Sequence, residues 1–289
     1  MFDLKYNQSL SDYNSWRVGG PAKCLFQPKN IEELKSFLNQ LFKSSPDEKI
    51  FWIGLGSNLL IRDSGFDGTV IITQGTFNQI TVLDNNIVRI EAGVACGTAA
   101  RFCARLGLTG IEFLAGVPGT IGGALAMNAG AHGGETWQYV SQCESIDRKG
   151  NIHLRPLSDY QPHYRHVIRP ADEWFTAAYF KLIPGDKAES LEKIKTLLAH
   201  RAATQPINLP NCGSVFRNPP NDYAARLIEA CHLKGFRIGG AAVSTKHANF
   251  IINDQNATAL DIENLITHIQ QVVKDKFNIA LIREVQILG

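Results

Sequence analysis

Apolar positions recurring every three or four residues predict five helices along the chain. Ile31, Leu34, Phe37, Leu38, Leu41 and Phe42 form the first stripe, opened by Asn30 with Glu33 three residues on, the spacing of a capping box. Residues 98–106 place Ala99, Phe102, Cys103 and Leu106 on one face and are closed by Gly107. Past Asp186 and Glu189, which cap a third helix, Leu191, Ile194, Leu197 and Leu198 carry it to Arg201. A short helix over residues 222–231 and a long one over 259–277, capped by Thr258, complete the set. Short apolar or alternating runs bounded by turn residues predict strands at 51–53, 70–72, 87–90, 143–147, 152–154, 174–183, 248–252 and 281–287. Arg148-Lys149-Gly150-Asn151 suits a tight hairpin connection, and Gly19-Gly20-Pro21 a turn between two extended pieces. The character changes after Pro184-Gly185, where helices and strands begin to alternate. This predicts two domains, residues 1–184 and a compact α+β unit over 185–289.

Two stretches break the pattern. Residues 115–135 read AGVPGTIGGALAMNAGAHGGE, with seven glycines among small residues, too glycine-rich for a packed helix and too apolar for a solvated linker. Gly116, Gly119, Gly122, Gly123 and Gly130 would let main-chain N–H groups close on a flat or anionic ligand. Gly54-Leu55-Gly56-Ser57-Asn58, directly after the apolar run Phe51-Trp52-Ile53, is a second loop of this kind. A single glycine loop serves a tight turn or a close helix contact equally well. Two of them argue for a large, two-ended ligand.

Three polar spots interrupt the apolar pattern elsewhere. Arg165, between Tyr164 and His166 in a loop rich in His and Pro, is either a solvated charge or a planar fork for a carboxylate or phosphate. Ser214 follows Gly213 and precedes Val215-Phe216; it fits a turn residue, or a hydroxyl that gives its proton to a developing carbanion. No G-x-S-x-G elbow supports a hydrolase triad. Glu284 points away from the face of Val285 and Ile287, so it either faces solvent on an edge strand, paired with Arg283, or faces a ligand.

Composition excludes several classes of function. With 289 residues, 44% hydrophobic and 19% charged, the chain is globular and can bury a full core. A net charge of +2 with scattered charges leaves no electrostatic footprint for nucleic acid. Cys24, Cys96, Cys103, Cys143, Cys212 and Cys231 form no C-x-x-C pair or Cys/His cluster, which argues for free thiols and against a metal site. There is neither a signal-like N-terminus nor an apolar run long enough to span a bilayer, so a cytoplasmic location is expected.

The order of the motifs goes further. Asn14-Ser15 with Val18-Gly19-Gly20-Pro21-Ala22, then GLGSNLL at residues 54–60, the glycine stretch 115–135, Tyr164-Arg165, Gly213-Ser214-Val215-Phe216-Arg217-Asn218-Pro219, GFRIGGAAVSTKHANFIIN at 235–253 and Glu284-Val285 together resemble the UDP-N-acetylenolpyruvoylglucosamine reductases. The likeness covers essentially the whole chain and is of the shorter type, without the substrate-covering insert. It implies an α+β fold: a flavin-binding domain of the p-cresol methylhydroxylase/vanillyl-alcohol oxidase type and a C-terminal substrate-binding domain. It further implies noncovalent FAD, since the first loop offers no His or Cys for a tether. Gly54, Gly56, Ser57, Asn58 and Leu59, with Pro118, Gly119, Gly122, Gly123, Asn128 and Gly130, match the cofactor-binding positions. NADPH is the implied co-substrate and a UDP-sugar enolpyruvyl ether the implied substrate. Arg165, Ser214 and Glu284 match catalytic positions, with Ser214 the proton donor, and Tyr164, Arg217 and Asn218 match substrate contacts. After Arg165 the chain departs from the family pattern, reading His166-Val167-Ile168-Arg169-Pro170. A flavin oxidase of the same fold and a non-catalytic flavin or nucleotide sensor are the competing readings.

Overall fold

In the computed structural model, which describes residues 2–289, helix α1 (Ile31–Ser44) begins where the Asn30 side chain accepts the Glu33 amide at 2.9 Å. Its buried face, Leu34, Phe37 and Leu38, packs with Phe26, Ile71, Phe77 and Ile146, so the predicted stripe is core. Helix α2 (Cys96–Arg105) starts two residues earlier than predicted and buries Ala99, Ala100, Cys103 and Ala104. Helix α3 (Ile121–Met127) lies inside the glycine stretch, where no helix was predicted. It forms because Thr120 accepts the Gly123 amide as an N-cap, and because Gly122 lets the helix close on Ala92, whose carbonyl accepts the Gly122 N–H at 2.8 Å. Helices α4 (Lys187–Thr204), α5 (Ala224–Ala230) and α6 (Ala259–Phe277) follow. Thr258 caps α6, as the sequence predicts, and Asp261 completes a reciprocal capping box with it.

The chain divides into two compact units that do not follow the predicted boundary at residue 185. The first comprises the residues up to Lys5, Cys24–Leu55 and Gly68–Ala199; the second comprises Tyr6–Lys23, Gly56–Asp67 and His200–Gly289. Most of α4 belongs to the first unit because Ile194 is buried in its core and Ser190 and Lys193 reach the buried Glu112 carboxylate, at 3.2 and 3.5 Å. Burial pushes the Glu112 carboxyl up, but the Thr109 hydroxyl, main-chain amides and Lys193 outweigh it and hold the group below the usual range. Two N-terminal pieces join the second unit because Trp16, Val18 and Leu60 are buried in its core.

The first unit carries a five-stranded antiparallel sheet in the order Ile152–Pro156, Val140–Asp147, Glu173–Lys181, Ile87–Glu91, Ile80–Val82. The predicted hairpin across residues 148–151 is its edge. Ile50–Ile53 runs parallel to the Phe66–Ile72 strand, Phe51 opposite Val70, and so delivers the first glycine loop at its C-terminal end. In the second unit, Arg237–Ile238, Ala241–Val243 and Ile251–Asn253 form an antiparallel sheet, and α6 adds Ile262, Leu265, Ile266, Ile269 and Val273 to the same core. The strand predicted over 281–287 is shorter: Gln286–Leu288 pairs in parallel with Leu59–Ile61, after a bend at Val285. Among the described residues, no helix is long and apolar enough to cross a membrane.

Trp16 shows why the second unit needs its N-terminal piece. It is fully buried, its indole N–H donates to the Ile251 carbonyl at 2.8 Å, and its own carbonyl accepts from Asn253 Nδ2 at 2.9 Å. Trp16→Ala is expected to cost about 3–5 kcal/mol, read as a lowered midpoint in chemical denaturation; an unchanged midpoint would show that the packing here is dispensable.

Candidate active site

The two glycine runs meet in the first unit. A Cβ on Gly54 would overlap the Thr120 hydroxyl, so the end of the Ile50–Ile53 strand lies directly against the start of α3. Around that junction the main chain is open: a Cβ on Gly116 would meet nothing, and one on Gly123 only the Thr120 hydroxyl at 3.9 Å. Pro118 and Gly119 lie between these positions, and the Gly119 carbonyl accepts the Cys96 amide at 3.0 Å, fixing the turn into α3. A main-chain surface without side chains, open to a flat group and backed by an apolar core, fits a flavin dinucleotide.

The rest of the first glycine loop belongs to the second unit, so the predicted cofactor residues are divided. Gly56 takes φ +61° and backs onto Tyr13, where a Cβ would overlap the Tyr13 carbonyl; its own carbonyl accepts the Ser15 amide at 3.1 Å. Ser57 leads into Asn58, whose side chain donates to the Glu284 carbonyl at 3.1 Å, and Leu59 opens the strand opposite Gln286.

Tyr164 and Arg165 form the two-residue turn of a hairpin between Gln161–His163 and His166–Ile168, where a loop was predicted. Arg165 sits at φ +56°, over the Tyr164 ring at 4.8 Å, and donates to the Gly130 carbonyl at 2.7 Å and the Asn128 carbonyl at 3.4 Å. The His166-Val167-Ile168 departure is therefore the return strand, with Val167 buried in the core. Asn128, predicted as a cofactor contact, is committed to protein. Its Oδ1 accepts the Trp137 amide and its Nδ2 donates to Glu135 Oε2 at 2.9 Å and the His163 carbonyl at 3.1 Å, using both side-chain donors. The buried Asn128 side chain thus ties the end of α3 to the hairpin that presents Arg165.

In the second unit, Ser214 and Glu284 lie on neighbouring segments. Phe216 and Arg283 form an antiparallel bridge, Glu284 donates its amide to the Val215 carbonyl at 2.8 Å, and Arg217 donates its amide to the Ile282 carbonyl at 2.9 Å. Glu284 therefore lies in a bridged, bent segment, with its side chain half-buried. Gly213 precedes Ser214 at φ +73°, a conformation that L side chains rarely adopt, and the Asn211 side chain accepts its amide at 3.0 Å. Arg217 keeps a buried Nε with no hydrogen-bond partner among the described residues, a donor whose desolvation a ligand would offset. Asn218 is exposed, and its Oδ1 accepts the Ala224 amide at the start of α5, a capping role. Cys212, two residues before Ser214, is buried, and burial pushes its thiol up to about 12, so it stays neutral, 3.2 Å from the Leu59 carbonyl. None of the six cysteines is in a disulfide among the described residues. Among the described residues, no three His, Cys, Asp or Glu gather as a metal site.

Sequence reasoning missed one residue of this segment. Asn249 is 4% exposed; its Oδ1 accepts the Phe216 amide at 3.0 Å and its Nδ2 donates to the Phe216 carbonyl at 2.8 Å. The signal was a lone amide inside the apolar run Ala248-Asn249-Phe250-Ile251-Ile252, since a polar residue there must find its partners in the core.

Two family models match the chain: an FAD binding domain over residues 22–154, and the UDP-N-acetylenolpyruvoylglucosamine reductase C-terminal domain over 205–288. The UDP-N-acetylenolpyruvoylglucosamine reductase of Legionella pneumophila (strain Corby) is 57% identical over 287 residues, covering 99% of this chain and 92% of that one. The protein of that name from Alkalilimnicola ehrlichii is 52% identical over 99% of this chain and 95% of its own length. Among solved structures, the UDP-N-acetylenolpyruvylglucosamine reductase from Thermus caldophilus is similar with a TM-score of 0.84 and 30% identity, covering 100% of this chain and 99% of that one. Near-complete coverage at more than half identity, together with both domain models in the expected order, shows that the chain belongs to the UDP-N-acetylenolpyruvoylglucosamine reductase family.

Proposed function

We propose that this protein is an NADPH-dependent flavoenzyme that reduces the enolpyruvyl ether of UDP-N-acetylglucosamine to UDP-N-acetylmuramate, in the cytoplasmic synthesis of peptidoglycan precursors. FAD held on the open main chain at Gly116 and Gly123 would supply hydride chemistry, from NADPH to the methylene carbon of the enolpyruvyl group. Negative charge then spreads from the adjacent carbon into the carboxylate, and stabilising it where it develops is what the polar residues must do. Arg165 holds that carboxylate through its planar fork. Its turn is anchored by the bonds to Gly130 and Asn128, which orient the guanidinium before any ligand arrives. Ser214 gives its hydroxyl proton to the carbon next to the carboxylate, completing the addition of two hydrogens, and regains a proton from solvent. Glu284 is the acidic partner in this charge system. Tyr164, Arg217 and Asn218 are the substrate contacts, and the glycine residues would hold FAD. Arg217 is the most directly supported of the three contacts, because its buried Nε has no hydrogen-bond partner among the described residues.

The observation that carries this reading is the register between Ser214 and Glu284. Two residues 70 positions apart in the sequence are set on bonded segments, joined through Val215, as a shared role in one proton-handling site requires. Incubation of the FAD-loaded protein with NADPH and the enolpyruvyl UDP-sugar is expected to convert the substrate to a product heavier by two hydrogens, with oxidation of one NADPH per product. A protein that remains colourless and cannot be reconstituted with FAD, or that leaves the substrate mass unchanged, would overturn the proposal.

A further inference from the structure

We infer that Asn249 is a positioning residue for Ser214: its side-chain amide sets the placement of the Ser214 hydroxyl relative to Glu284. The inference rests on the proposed role of Ser214 as proton donor. The segment after Ser214 has bonds on both sides. On one side, Val215 and Arg217 bond to residues 282 and 284. On the other, the Val215 amide donates to the Asn249 carbonyl at 2.9 Å, and both main-chain groups of Phe216 are taken by the Asn249 side chain. An amide side chain shows a carbonyl and an N–H₂ along one edge, so it can complete a two-bond contact with a peptide group as a neighbouring strand would. Asn249 therefore bonds Phe216 on the side opposite the Arg283 bridge, as a neighbouring strand would.

Asn249 is itself tightly held. Its main-chain amide donates to His247 Nδ1 at 3.3 Å, and the Ser244 hydroxyl accepts the Lys246 and His247 amides, fixing the turn that precedes it. Burial pushes the His247 ring below its usual pKa, which keeps the ring neutral and its Nδ1 able to accept. The result is a continuous path of hydrogen bonds from the 244–247 turn through Asn249 and Phe216 to the residues flanking Ser214 and Glu284. No atom of Asn249 has to touch the substrate for this path to matter. A proton donor displaced by about 1 Å loses roughly two orders of magnitude in rate.

Asn249→Gln tests this. Asn249→Ala would leave two buried main-chain groups of Phe216 unpaired and endanger the fold, whereas Gln keeps the amide and forces the Phe216 strand to move by about one methylene. FAD-loaded protein is mixed rapidly first with NADPH and then with the enolpyruvyl UDP-sugar, and the visible absorbance is followed. The expected result for N249Q is a thermal midpoint and NADPH step close to wild type, with a second step slowed about 100-fold. Combined with Ser214→Ala, N249Q is expected to add no further slowing, because it acts through the hydroxyl already removed. Equal slowing of both steps, slowing that multiplies onto that of S214A, or failure of both N249Q and N249A to fold would assign Asn249 to stability alone and overturn the inference. Normal turnover by S214A would instead remove the role of Ser214, and the inference with it.

Discussion

Ser214→Ala is expected to slow the transfer to the enolpyruvyl sugar by about 10²–10⁴-fold, the usual contribution of a positioned proton donor, while leaving reduction of bound FAD by NADPH nearly unchanged. The asymmetry follows from where the proton is needed. Taking a hydride from NADPH develops no carbanion next to a carboxylate, whereas the second step does, and only there does a hydroxyl at this position have charge to quench. The substitution removes one oxygen from a half-buried site while Gly213, Val215 and Phe216 keep their main-chain bonds, so the fold should persist. Separate rapid-mixing measurements of the two steps check this. Equal losses in both would make Ser214 a structural residue.

Arg165→Lys is expected to lower kcat/KM for the sugar nucleotide by roughly 10- to 150-fold, the loss of one charge-assisted bond of about 1.5–3 kcal/mol. In the hairpin turn the guanidinium donates to the Gly130 and Asn128 carbonyls, which fix the plane of its fork. An ammonium has three donors and no plane. If it kept the protein contacts it could not offer the ligand a planar pair of donors, and if it turned to the ligand the turn would lose its anchor. The NADPH step should be untouched in this variant as well. Near-normal turnover would mean that Arg165 only stabilises the hairpin, a role for which Lys suffices.

Much of the fold was legible because the signals were local. Helix α6 falls on the predicted residues 259–277, since its Thr258 cap and its aliphatic repeat are contiguous in the sequence. Helix α1 is equally plain from Asn30 and Glu33. The composition of the two units was not legible. Trp16 and Leu60 look like turn-proximal residues of an N-terminal domain, and only contacts to Ile251 and Gln286–Leu288, far along the chain, assign them to the second unit. Helix α3 was hidden for a related reason. Low helix propensity at Gly122 and Gly123 is outweighed by the packing of α3 on Ala92, which no local window contains. At the candidate site, the residue types stood out as polar breaks in apolar runs. The bonds that organise them did not: Val215 to Glu284, Asn249 to Phe216 and Asn128 to the Arg165 hairpin are all pairings across more than 30 residues. Asn128 is the clearest case: the family resemblance implies a cofactor contact, while its Oδ1 accepts the Trp137 amide and both Nδ2 donors go to Glu135 and His163.

The most direct test of the central claim is a single anaerobic trace of the visible absorbance of the FAD-loaded protein. Addition of NADPH is expected to bleach the flavin band, which then stays bleached until the enolpyruvyl UDP-sugar is added and returns in proportion to the amount of sugar supplied. A band that ignores NADPH, or that returns only when oxygen is admitted, would contradict the account; the latter would point to an oxidase of the same fold.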